Sequence, residues 1–179
     1  MIRRLKPIAY SLLLFITLAA CGRGGGSSTP NNPLPGNQPS TKATLKVAIS
    51  GALPAGTNIS GVGVTVVLPA GATVDTDSSG AVTTGSVIPS GIFVSGTQTT
   101  PIYTAASVAN PASLKICPTS TKVGGESQTG EIATVVVNLA GGTKPTADSF
   151  VLSDLVVVNA STYDKITGIS GSVTTVTFQ

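Results

Sequence analysis

Glu131-Ile132-Ala133-Thr134-Val135-Val136-Val137-Asn138-Leu139 is the stretch whose periodicity decides the fold class. Ala133, Val135, Val137 and Leu139 recur at every second residue, the spacing at which β-strand side chains return to one face. Ile132 and Val136 populate the other face, and a strand that is apolar on both faces is expected in a sheet interior. The same period runs outward from this segment. Leu45, Val47 and Ile49 alternate with Thr44, Lys46 and Ser50, and Val62, Val64, Val66 and Leu68 alternate until Pro69 stops them. Further strands are expected over residues 81–88, 98–108 and 113–117, bounded by Gly, Pro, Asp and Ser. Phe150 and Leu152 set one phase while Leu155 and Val157 set the opposite one, so a bulge is expected near Ser153-Asp154. Residues 167–178 close the chain, and the phase shifts again between Val173 and the pair Val176 and Phe178.

Eight or nine short strands with no helical period specify an all-β sandwich or jelly roll. Of the 179 residues only 9% are charged, against roughly 25% in ordinary soluble domains. The apolar residues are mainly Val, Ile, Leu and Ala dispersed among Thr, Ser and Gly, a composition that fits pleated, half-buried surfaces. The formal charge of +3 is misleading, because Arg3, Arg4 and Lys6 lie at the extreme N-terminus and the rest of the chain is balanced. A neutral domain without a basic cluster lacks the electrostatic footprint of nucleic-acid binding.

Residues 1–20 read as an export signal: Arg3, Arg4 and Lys6 form a basic start, and residues 8–18 form an apolar core. That core is too short to span a hydrocarbon layer of about 30 Å as a permanent helix. It ends in Leu18-Ala19-Ala20-Cys21, which resembles the lipobox of bacterial lipoproteins. The resemblance implies cleavage before Cys21, a covalent lipid on its thiol, and a membrane anchor at the cell envelope. Gly22 stands where an Asp often marks inner-membrane retention in that class, which favours the outer membrane. Residues 22–42 carry Gly24, Gly25, Gly26, Pro30, Pro33, Pro35 and Pro39 and almost no apolar side chain, so a linker is expected there. Residues 43–179 are then the sandwich, about 135 residues, enough for one core without disulfides.

Three segments carry a second resemblance. Residues 61–71 (GVGVTVVLPAG), 130–135 (GEIATV) and 148–154 (DSFVLSD) are similar, in order, to the strand signatures of cohesin-type domains. These share a nine-stranded jelly roll with the family-2 and family-3 carbohydrate-binding modules. The resemblance covers roughly residues 44–179 and implies a binding module for dockerin-like proteins or for glycans.

The chain contains no histidine, which excludes Ser-His-Asp and Cys-His nucleophilic devices and His-ligated metals. Its seven acidic residues are spread along the domain and read as solvated turn residues, so a non-catalytic role is expected. Asp75, Asp77 and Ser79, followed by Gly80, form a candidate calcium loop, since oxygens at alternate positions wrap a hard cation. Its expected closing acid is replaced by Ser86, and an ordinary Asp-Ser-Gly hairpin turn is the competing reading. Beyond the lipid and calcium, no cofactor is implied. Cys117 is the one cysteine beyond Cys21; a buried, inert thiol is expected, ahead of an intermolecular partner or oxidation site. Tryptophan is absent, and Phe150 and Phe178 fall in core phase, so Tyr103 and Tyr163 are the candidate sugar-stacking rings. The function expected first is a membrane-anchored module that holds a protein partner. A carbohydrate-binding lipoprotein and a structural envelope component are the alternatives.

Overall fold

A computed structural model describes residues 41–179; the lipobox residues Leu18, Ala19, Ala20 and Cys21 and nearly all of the expected linker lie outside the described residues. Twelve strands follow one another. They are β1 (Lys42–Ser50), β2 (Ile59–Val67), β3 (Ala72–Thr73), β4 (Val87–Pro89), β5 (Thr97–Gln98), β6 (Ile102–Thr104), β7 (Ser113–Ile116), β8 (Pro118–Thr119), β9 (Glu131–Leu139), β10 (Val151–Asn159), β11 (Lys165–Ile166) and β12 (Ser170–Phe178). Two single 3-10 turns, Gly91–Phe93 and Ala147–Ser149, are the only helical segments among the described residues.

The strands form two antiparallel sheets. One has the order β12-β1-β9-β3, with β4 also on β9; the other has the order β11-β10-β2-β7-β6, with β8 on β2 and β5 on β8. The chain alternates between the sheets, as the expected sandwich requires. β9 is interior to its sheet, with β1 on one side and β3 and β4 on the other. Leu45 and Val47 of β1 and Val135 and Val137 of β9 face Val62, Val64 and Val66 of β2 and Leu114 and Ile116 of β7 in one buried cluster. Removing most of one such side chain costs about 2–5 kcal/mol, because transfer and cavity terms add.

Four register shifts keep the apolar residues pointing inward. Ser153 pairs with Thr65 and Val156 with Gly63, so Asp154 and Leu155 oppose Val64 alone, and Asp154 sits at φ 52°. This is the bulge expected at Ser153-Asp154, and it turns Leu155 and Val157 back to the core. Thr174 is the extra residue between Val173 and Thr175 on β12, which accounts for the phase change toward Val176. Ser60 is a third such residue, on β2. The fourth is Ile132, which lies between Glu131 and Ala133 opposite Val47-Ala48. Ile132 is therefore fully buried in the core and does not populate the outer face as its alternation suggests.

Three further expectations are corrected. Residues 81–88 do not form one strand. Val82 makes a lone bridge to Thr76, Ser86 N–H donates to Thr83 O in a turn, and only Val87–Pro89 is laddered. Residues 98–108 are split at Pro101, which has no N–H to offer a ladder, and turn to loop after Thr104. The count rises from eight or nine to twelve because these pieces, with β3, β8 and β11, are only two or three residues long. β1 also begins at Lys42, so the last residue of the expected linker is already laddered.

Gly91 carries the sharpest backbone requirement. Its φ is +59°, and a Cβ there would overlap the carbonyl and side chain of Glu131. Gly56 has φ +71° with open space around it. Gly56→Ala is expected to cost about 1–2 kcal/mol from the left-handed backbone alone. Gly91→Ala is expected to cost at least about 3 kcal/mol, because β9 must also move. Urea denaturation of the two variants measures the difference.

Candidate functional site

The outer face of the larger sheet is built on two missing side chains. Val62 and Val64 point inward on β2, so Gly61 and Gly63 take the outward positions. Gly61 pairs with Val158 of β10 and Thr119 of β8, and Gly63 pairs with Val156. These flanking side chains rise on both sides of a bare backbone. The result is a trough of about 510 Å³ whose floor is Gly61 and Gly63 and whose walls are Val156, Val158, Cys117 and Thr119. Lys115 and Asp154 stand at its margins and are the charged groups that line it.

The same face exposes three aliphatic side chains among Thr65, Lys115 and Asp154. Ile102, Val151 and Val156 are 60%, 57% and 40% exposed, unusual for aliphatic strand residues. Ile102 sits beside Lys115 and Val151 beside Val67. Covering a fully exposed aliphatic side chain is worth about 1.5–3 kcal/mol, so a partner on this face has several such contributions to gain. Cys117 is free and half-buried, with its Sγ 3.8 Å from where a Gly63 Cβ would stand. The expectation of a buried thiol is corrected here. Leu114 and Ile116 occupy the inward positions, and the next residue falls on the trough side.

The outer face of the smaller sheet has a different character. Lys46 Nζ donates to Glu131 Oε1 at 2.7 Å and to Thr134 Oγ1 at 3.0 Å. Ser90 Oγ donates to the same Glu131 oxygen in a very short hydrogen bond, and Thr134 Oγ1 lies 3.1 Å from Ser90 Oγ. Each polar group of this cluster is satisfied by the others, leaving an ordered clasp across β1, β9 and the end of β4. Burial raises the Glu131 carboxyl, but the hydrogen bonds from Lys46, Ser90 and Thr134 and the Lys46 charge outweigh it and hold its pKa below 4.5. Sequence reading missed this cluster. Outward Lys46 was its one visible sign, and four of its hydrogen-bonded pairs join residues 41 to 88 positions apart.

The candidate calcium residues are close in sequence but occupied differently. Asp77 Oδ1 accepts from Ser79 N–H at 2.8 Å, Ser79 Oγ at 2.6 Å and Ala81 N–H at 3.1 Å, an Asx-type turn. The Ser79 hydroxyl and these backbone donors lower the Asp77 pKa. Asp75 instead accepts from Asn138 and from Lys42 Nζ at 3.1 Å, which lower its pKa in that order. Ser86, at the closing position, is buried and hydrogen-bonded to Thr83 at 2.9 Å. Among the described residues no three acidic or cysteine groups converge as a metal site.

The two candidate sugar-stacking rings are not brought together. Tyr103 lies on β6, opposite Leu114, half-buried against the core and beside a cavity of about 470 Å³ under the loop that carries Asn110. Tyr163 lies between β10 and β11 at φ 62°, 77% exposed, with its N–H donating to Asn159 O at 3.0 Å. β10, β2 and β7 separate the two edges.

Compared with known proteins, the chain matches no family model, no curated protein and no solved structure.

The Lys46–Glu131 clasp has a pH signature. A carboxyl whose folded pKa is lowered contributes stability that is present in full above its unfolded value, here near 4.5. That contribution is lost as pH falls through the lower, folded value. Glu131→Gln is expected to be less stable than the parent at neutral pH and to lose less stability on acidification. Asp75 and Asp77 keep part of the acid dependence in both proteins, since their pKa values are lowered too. Urea midpoints measured from about pH 7 to about pH 3 check the slope.

Proposed function

We propose that this chain is a non-catalytic binding module, anchored at the cell envelope through lipid on Cys21, which holds a protein partner on the outer face of its larger sheet. The observation that carries the reading is the Gly61–Gly63 trough, walled by exposed Val156, with exposed Ile102 and Val151 farther along the same face. Exposed apolar area of this kind is where protein partners gain most from desolvation. The opposite face exposes Ile88 beside Thr134 but has no comparable trough on it among the described residues, and its Lys46, Glu131, Ser90 and Thr134 groups already satisfy one another. The absence of histidine from the whole sequence fits a binding role. The lipobox resemblance at residues 18–21 supports the envelope address, with the outer membrane favoured by Gly22. The cohesin-type strand signatures support a dockerin-like protein as the kind of partner.

Filling or charging the trough tests the reading. Gly63 has no positive φ, and a Cβ there makes only ordinary contact with Cys117, so Gly63→Leu is expected to fold. Val156→Lys places a charge on the wall. The immobilised chain is exposed to solubilised envelope with and without calcium, and the captured protein is quantified for parent and variants. Both variants are expected to reduce capture at least about tenfold, the effect of roughly 1.4 kcal/mol, while far-UV circular dichroism is unchanged. Capture that both variants leave intact removes the trough from the reading. Recovery of polysaccharide alone, lost on Tyr163→Ala, replaces it with glycan binding. Recovery of neither points to a structural component.

A further inference from the structure

Most open edges of the two sheets are blunted. β3 and β11 have two residues each, and β11 starts with Lys165; β4 ends at Pro89, and β6 is three residues long and follows Pro101. Short edges, Lys and Pro are devices that stop a sheet from recruiting another strand. β12 lacks them. It runs nine residues, Ser-Gly-Ser-Val-Thr-Thr-Val-Thr-Phe, with no charge and no proline, and it pairs only with β1. The Thr174 bulge twists its first half, which leaves Thr175, Val176, Thr177 and Phe178 as a regular run. Gln179 N–H donates to Lys42 O at 2.9 Å on the β1 side. By antiparallel alternation Thr177 also faces β1, and Val176 and Phe178 direct their N–H and C=O groups to the open side. The Ala147–Ser149 turn packs near β12 but spends its own hydrogen bonds on itself, Ser149 N–H to Thr146 O and Phe150 N–H to Ala147 O.

The side chains at this edge are unfinished in the same sense. Val176 pairs with Leu45 and Phe178 with Ala43, both inward positions, yet Val176 and Phe178 are only half-buried at the rim of the core.

We propose that β12 is a self-pairing edge, through which two copies of this chain meet antiparallel about a twofold axis at Thr177. In that register Val176 faces Phe178 of the partner subunit, and each such pair exchanges both of its N–H···O=C hydrogen bonds. The half-buried rims of the two cores meet, and two five-stranded sheets become one. A second copy fits this edge because β12 and the residues just before it, from Ile166 onward, carry no charged side chain. Two such strands therefore meet with no like-charge opposition, and the residue on the axis is threonine, a favourable cross-strand pair with itself. The pairing uses the smaller sheet's edge and leaves the Gly61–Gly63 trough free, so its failure and that of the binding role are read separately.

Thr177 is exposed on the outer face of its sheet, so a charge there leaves the core untouched. Across the axis it stands opposite its own copy, at the close spacing of a non-hydrogen-bonded pair, about 4.5 Å between Cα atoms. Sedimentation of the full chain in mild detergent, with thiols kept reduced so that no Cys117 cross-link forms, is compared for parent, Thr177→Lys, Thr177→Glu and their equimolar mixture. The parent is expected to form a reversible dimer. Each single variant is expected to raise its dissociation constant at least about tenfold, with unchanged circular dichroism, and the mixture is expected to recover the parent's value. A parent that stays monomeric at the highest concentration overturns the proposal. So does a dimer that Thr177→Lys leaves as strong as before.

Discussion

Aliphatic rows from β1 and β9 press against aliphatic rows from β2 and β7, and this contact has little help from other sources. Cys117 is unpaired, so no disulfide ties the described residues together. The three ion pairs among the described residues join side chains at least partly open to water, where such pairs are worth little. Folding therefore rests on burying apolar area, and that demands that every long strand present its apolar residues to the same interior. Strict alternation over nine residues does not deliver this in a twisted sheet. Extra residues at Ser60, Ile132, Asp154-Leu155 and Thr174 reset the phase wherever twist would carry it away from the core.

The outer surfaces follow from that same demand. Once Val62 and Val64 are committed to the core, Gly61 and Gly63 have no option but the outside, and the sheet there is reduced to its backbone. Once Leu45 and Val47 are committed inward, Lys46 must face outward, where it meets Thr134 directly across the ladder and reaches Glu131. One outer face is thus bared to backbone at its centre, while the other carries a self-satisfied polar cluster there. The two differ because β2 places glycine where β1 places lysine.

Much of this was legible from alternation alone. Of the five nine-residue strands that carry most of the ladder, β1, β2, β9 and β12 announce themselves by period, and β10 by two opposed phases that meet at the Asp154 bulge. Where reading failed, a local signal was outweighed by something else. Thr83-Thr84-Gly85-Ser86 has strand-like threonines, but Gly85 at φ +92° and the Thr83–Ser86 bond fold it into a turn. Ile132 looked outward because a bulge opposite β1 leaves no mark in β9's own sequence. The trough was illegible for a plainer reason. Its floor and its walls come from residues near 61, 117 and 156, and only the strand order brings them side by side.

The position of β1 has a mechanical consequence. It is laddered along its length on both sides, by eight residue pairs with β12 and seven with β9. A pull entering along its axis at Thr41 loads both ladders in shear at once, so many hydrogen bonds must yield together before the strand slips. A strand at a sheet edge would share that load with one neighbour only. The chain thus meets the segment before it through the strand of the smaller sheet that is best placed to resist tension.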